Sequence, residues 1–222
     1  MATNLLYPSM MCVEPSLTRE YCEIFEKNGI AGLHVDIMDG SFVPNFTLGT
    51  DYCRYLHEIS DLPLDIHMMV ERPEEKLGWF PIKNGDIVSI HAESTKHLDR
   101  AVQKVRELGG TPFVAINPAT PLSAIEDILP SLGGILVMTV NPGFAGQKLV
   151  EYTVSKVEKL KQQLIKLGLD DLPIEVDGNI SPANLVRLKN VGANCFVIGT
   201  SGFLKKQPIE QMIEGIKEFS QL

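Results

Sequence analysis

The segment LHVDIMDGSFVPN (33–45) sets His34 and Asp36 two residues apart in an apolar run and follows them with Asp39 and Gly40. Side chains at i and i+2 of an extended strand share a face, so one strand presents an imidazole and a carboxylate together. LDIHMMV (64–70) adds His67 and PIEVDG (173–178) adds Asp177. Gathered at one opening, these groups form a donor set suited to one divalent metal ion: Zn, Fe(II), Mn or Co. A lone strand-end histidine is more often a hydrogen-bonded core group, and a lone aspartate there a helix cap. Four such groups with no Lys or Arg at the same strand ends repel one another unless a cation lies among them. Ser9, His91, Glu93 and Asn117 also end apolar runs. Cys53 and His57, four apart, read as an ordinary helix face, and His97 as solvent-facing.

Glycine marks a second cluster. NPGFAGQ (141–147), DGN (177–179) and GTSG (199–202) follow three successive apolar runs. Glycine lets backbone N–H groups approach an anion closely, so a phosphate cradle is expected at Gly143, Phe144, Ala145, Gly146, Gly178, Asn179 and Gly199, with Thr200 and Ser201 adding hydroxyl donors. One such loop alone would be a tight turn. Met38, Met69 and Met138 lie beside the donors or on the neighbouring run, where a soft apolar lid would keep water from a reactive anion.

The elements that must position these groups are legible as an alternation. Short apolar runs lie at 5–10, 32–37, 64–70, 87–92, 112–117, 134–140, 173–178 and 195–199, with helix-like stretches between them. Pro15 to Asn28 runs into Gly29, Lys96 to Leu108 into Gly109, and Val150 to Leu167 into Gly168, each a helix stop signal. Eight strand-and-helix repeats in one chain predict a single-domain (β/α)8 TIM barrel spanning 1–222, with its chemistry at the C-terminal ends of the strands. An open doubly wound sheet commonly has fewer strands, and no GxGxxG follows the first run.

Composition narrows the function classes. The 222 residues carry 20 Lys and Arg against 28 Asp and Glu, a net charge of −8. That balance disfavours nucleic acid and anionic membrane surfaces as partners. No apolar run approaches the ~18 residues of a membrane span, and the N-terminal segment lacks a secretory signal pattern, so a soluble cytoplasmic protein is expected. Cys12, Cys22, Cys53 and Cys195 form no CxxC pair and read as packed thiols.

HVDIMDGSFVPN, DIHMMVERPE, MTVNPGFAGQK, EVDGN and VIGTSG together resemble the ribulose-phosphate 3-epimerase family of metal-dependent (β/α)8 barrels, in the same order and over essentially the whole chain. The resemblance implies interconversion of D-ribulose 5-phosphate and D-xylulose 5-phosphate by inversion at C3. It implies metal ligands at His34, Asp36, His67 and Asp177, acid/base carboxylates at Asp36 and Asp177, and proton transfer through a metal-stabilised enediolate. It also implies a substrate-contacting serine at Ser9, a methionine lid at Met38, Met69 and Met138, phosphate loops at Gly143 to Gly146, Gly178 with Asn179, and Gly199 with Thr200, and a homo-oligomeric assembly. PSMMC (8–12), Asn179 and GTSGF (199–203) are more similar to the allulose-6-phosphate 3-epimerase branch, whose substrate is one carbon longer. The pentulose phosphate is the expected substrate and allulose 6-phosphate the alternative.

A related decarboxylase would carry a lysine within a DxKxxD strand motif, and a Schiff-base aldolase a strand-end lysine; HVDIMD (34–39) and the other runs have none. A non-catalytic sugar-phosphate sensor would have no need of the four donors.

Overall fold

The computed structural model describes residues 4–222. Its strands are β1 (Leu5–Pro8), β2 (Leu33–Asp39), the two-residue β3 (Phe46–Thr47), β4 (Leu64–Met69), β5 (Ile87–His91), β6 (Thr111–Ile116), β7 (Gly134–Met138), β8 (Ile174–Asp177) and β9 (Cys195–Ile198). They pair in the order β1-β9-β8-β7-β6-β5-β4-β2-β3, all parallel except the β2–β3 ribbon. The ring closes between β1 and β2 through a parallel bridge, Ser9 with His34, and through the Ala31 N–H donating to the Leu6 carbonyl at 3.1 Å. The eight expected runs are therefore the eight staves of a barrel.

Period-two alternation sorts each stave. Leu33, Val35 and Ile37 on β2, with Leu64, Ile66 and Met68 on β4, join the main core beneath the helices. The intervening residues face the barrel interior, and parallel register stacks them in tiers: His34 beside Asp65, Asp36 beside His67, Met38 beside Met69. Each tier lies one step nearer the C-terminal rim.

The outer layer holds α1 (Thr18–Lys27), α2 (Thr50–Ile59), the single turn α3 (Pro73–Lys76), α4 (Leu98–Glu107), α5 (Tyr152–Leu167), α6 (Pro182–Asn190) and α7 (Ile209–Gln221). Phe25 of α1 packs on Phe203, which meets Phe219 of α7 edge-on at 5.6 Å, so the first and last helices share one aromatic seam. α5 stops where Gly168 takes φ +69°, a left-handed turn that glycine adopts without a Cβ clash.

The layer is less regular than strict alternation predicts. α1 begins at Thr18 because Pro15 to Leu17 form a tighter 3-10 turn, and α4 spans two residues less at its start than the sequence suggested. Between β6 and β7 only 3-10 turns appear, at Leu122–Ala124 and Glu126–Ser131. Pro121 and Pro130 bracket that segment, and a proline inside a helix removes a donor and clashes with the preceding turn. β3 was too short to leave a periodic signature.

Candidate metal centre and active site

At the C-terminal rim four side chains converge, although they come from β2, β4 and β8, far apart in sequence. His34 Nε2 lies 3.2 Å from Asp36 Oδ1 and 4.0 Å from Asp177 Oδ2. His67 Nδ1 lies 3.4 Å from the same Asp36 oxygen and 3.7 Å from the same Asp177 oxygen. Donors bound to one cation at about 2.0–2.2 Å sit roughly 3–3.5 Å from one another, so the spacing fits a single ion. His67 Nδ1 is buried and has no hydrogen-bond partner, an orphaned nitrogen facing the other three donors. The set of two imidazole nitrogens and two carboxylate oxygens suits zinc, ferrous iron, manganese or cobalt.

Each donor is held from outside the cluster. His34 Nδ1–H donates to Asp65 on the neighbouring stave, which turns Nε2 inward. Ser9 Oγ donates to Asp36 Oδ2 at 2.7 Å, leaving Oδ1 for the cluster. Asp39, also in the opening motif, lies apart: it accepts from Lys76 Nζ at 2.6 Å and from the Ser41 and Phe42 N–H groups, and so shapes the loop after β2.

Above the donors opens a cleft lined by Ser9, Asp36, Asp177 and the methionines Met38, Met69 and Met138. Its far wall is glycine-rich: Gly143 to Gly146, Gly178 with Asn179, and Gly199 to Ser201, with Phe144 half exposed over the opening. Gly178 adopts φ +123°, and a Cβ there would meet the Val140 backbone nitrogen at 2.8 Å. Asn179 stands in the left-handed region at φ +55°, a conformation asparagine tolerates better than other non-glycine residues. Its Nδ2 donates to Ser201 Oγ at 2.9 Å, tying two of the three loops together.

Over residues 5–203 the sequence matches the model of the Ribulose-phosphate 3 epimerase family. The chain belongs to that family. It is 40% identical over 215 residues to the chloroplastic ribulose-5-phosphate-3-epimerase of Arabidopsis thaliana, covering 96% of this chain and 76% of the relative. It is 37% identical over 194 residues to ribulose-phosphate 3-epimerase of Bacillus subtilis, covering 87% and 89%. Among solved structures, a mutant tryptophan synthase alpha-subunit from Pyrococcus furiosus superposes with a TM-score of 0.70 over 100% of both chains at 12% identity; that likeness shows the barrel fold alone. Membership makes the chain an isomerase, an epimerase acting on carbohydrate phosphates.

The donor cluster is electrostatically asymmetric. Burial favours the neutral form of Asp36, but the charge and hydrogen bond of His34 outweigh it and hold its carboxyl well below the usual range. Asp177 is pushed up to about 6, first by burial and then by the nearby Asp36 charge. One carboxylate is thus firmly ionised while the other titrates close to neutrality. For His34, burial works against the charged form, yet Asp65 and Asp36 raise its pKa well above the ordinary histidine value. A proton and a cation therefore compete for Nε2. The apparent affinity for Zn(II), measured by competition with a chromophoric chelator, should rise with pH, about tenfold per unit while Nε2 stays protonated, and level off once the pH passes the raised His34 pKa. A pH-independent affinity would contradict this competition.

Below the four donors lies a buried layer that strand-end reasoning missed. Glu175, two residues before Asp177, and Asp65, two before His67, are both fully buried and face His34 from opposite staves. Burial and the Asp65 charge raise the Glu175 pKa well above the glutamate range, so this residue is held as a neutral acid. The i−2 spacing was the available signal, since it places each acid on the same face as a donor. His57 faces Asp86 from α2 at 3.2 Å, remote from the cluster, and His97 is exposed.

Proposed function

We propose that the protein is a metal-dependent ketose-phosphate 3-epimerase that interconverts D-ribulose 5-phosphate and D-xylulose 5-phosphate. The observation that carries this reading is the pair of carboxylates, Asp36 and Asp177, brought from staves three places apart on the ring to one cleft with opposite proton preferences. His34, Asp36, His67 and Asp177 would hold a divalent ion, which when bound supplies Lewis-acid stabilisation of the charge that develops on the substrate oxygens, worth several kcal/mol.

Inversion at C3 requires a proton to leave one face of the carbon and another to arrive on the opposite face. The ionised Asp36 takes a proton at Oδ2, the oxygen outside the donor cluster, while Asp177 holds one at Oδ1 for delivery. In the reverse reaction the roles exchange. The Ser9 hydroxyl fixes the Asp36 carboxylate plane. Met38, Met69 and Met138 cap the donors with buried apolar surface, which keeps water from reprotonating a planar enediolate at random. Backbone N–H groups of the three glycine loops receive the phosphate.

A second reading, epimerisation of D-allulose 6-phosphate to D-fructose 6-phosphate, is favoured by the cleft wall. Met11, Cys12, Asn179 and Ser201, all within the segments more similar to that branch, line the opening, and the Asn179–Ser201 link shapes the end that would receive a longer substrate's phosphate. Steady-state kinetics on both sugar phosphates with metal-loaded protein separates the two. A kcat/KM at least about tenfold higher for ribulose 5-phosphate is the expected result. The reverse ratio assigns the hexulose phosphate, and no turnover of either leaves a binding protein on an enzyme scaffold.

A further inference from the structure

On the ring edge opposite its orphaned nitrogen, His67 begins a line of polar groups that the donor cluster does not use. His67 Nε2 lies 2.8 Å from His91 Nε2 on β5. His91 Nδ1 lies 3.2 Å from Glu93 Oε2, just past the end of the same strand. Glu93 Oε1 in turn accepts from the Asn117 backbone N–H at 2.8 Å and from the Thr120 hydroxyl. Both imidazoles are fully buried and stack at 5.0 Å with 23° between their planes, while the Glu93 side chain is 24% exposed at the outer end of the line.

Two imidazole nitrogens at hydrogen-bonding distance need one proton between them, so one ring donates and the other accepts. The outer end decides which. Glu93 is held ionised: burial would favour its neutral form, but hydrogen bonds from His91, Thr120 and Asn117 bring its pKa down to about 2. An ionised carboxylate only accepts, so His91 carries its hydrogen on Nδ1. A histidine is ordinarily neutral above about pH 7, so with its hydrogen on Nδ1 the buried His91 presents a bare Nε2 that accepts. His67 must then donate from Nε2, which leaves Nδ1 without a hydrogen, facing Asp36 and Asp177.

We propose that Glu93 acts through His91 as a positioning residue, fixing the tautomers of two successive imidazoles so that His67 turns an unprotonated Nδ1 to the metal centre. The inference rests on the metal centre described above and extends it by two residues and one stave. It explains why a β5 histidine that does not line the cleft is buried against a candidate ligand. Metal-bound histidines ordinarily donate their second N–H directly to a carboxylate or carbonyl; here a second ring is interposed and the carboxylate acts at one remove.

Two measurements test this, neither dependent on turnover. Long-range 1H–15N correlation spectra of the metal-free protein, at about pH 8, report which nitrogen of each ring is protonated. The expected pattern is Nε2–H on His67 and Nδ1–H on His91; the opposite tautomer on either ring overturns the proposal. The second measurement is Zn(II) affinity of Glu93→Gln, with a thermal melt to establish folding. A glutamine has one accepting and one donating end. Either its amide N–H faces His91 and reverses both rings, or it faces the Asn117 N–H and loses that bond. Where the spectra of Glu93→Gln show both rings reversed, affinity should fall about 10–100-fold. A folded Glu93→Gln with reversed rings and unchanged Zn(II) affinity overturns the proposal, and if its rings keep their tautomers or the variant does not fold, the tautomers of the unaltered protein decide alone. Absence of sugar-phosphate turnover would sink the epimerase reading and leave these results standing; reversed tautomers would sink the relay and leave the epimerase.

Discussion

Asp177→Asn should abolish 3-epimerisation, lowering kcat by about 10²–10⁴-fold, the range for loss of a positioned general acid or base. The asparagine amide keeps an oxygen near the donors but can neither accept nor deliver the proton that Asp177 handles at a pKa of about 6. Asp36→Asn should fail equally, for the complementary reason that the firmly ionised base is gone. The two variants are distinguished by what survives. With one carboxylate left, a proton can still leave one face of C3, exchange with solvent and return to that same face. In D2O, NMR should therefore show deuterium entering C3 of one epimer without inversion in Asp177→Asn, and of the other epimer in Asp36→Asn. Both assays belong at saturating metal, because each residue is also a donor. Near-normal turnover in either variant, or exchange of both epimers by one of them, defeats the two-carboxylate assignment.

Stripping the metal with a chelator should remove activity entirely, and Zn, Fe(II), Mn or Co should restore it. The donors explain the size of the effect. The cluster presents two carboxylates to the cleft over a buried layer holding the Asp65 carboxylate and the neutral acid Glu175, and it compensates the charged groups only with imidazoles. A resident cation relieves that repulsion, so stability should follow the metal as well. Free metal at 100 times its Kd adds about 2.7 kcal/mol, a rise in Tm of about 5–10 °C for a chain of this size. Full activity in protein shown metal-free by elemental analysis would end the account.

The strands were legible because burial on both faces writes them as short β-rich runs, and the observed bounds of β4 and β5 fall within one residue of those runs. Their alternation with helices gave the barrel, and strand-end position singled out His34, Asp36, His67 and Asp177, which the fold brings within one cluster. Local conflict hid the rest. The β6–β7 crossing keeps apolar residues at helical spacing, but its prolines divert it into 3-10 turns. Asp65 and Glu175 lay inside runs read as apolar, although each is one pleat below a donor. His91 and Glu93 were visible as strand-end polar groups, yet their use depends on a distance to His67 across 24 residues of sequence, which no pattern within a single strand encodes.

The barrel's one irregular joint is the bridge between Ser9 and His34. Every other neighbouring pair of staves is laced by a run of matched residues, whereas here the hoop is fastened at the serine that steadies Asp36 and at the histidine that belongs to the donor cluster. Loosening this clasp would part the first stave from the second and scatter the reacting groups in the same motion. In this molecule, keeping the circle shut and keeping the chemistry aligned are a single task, entrusted to the same few atoms.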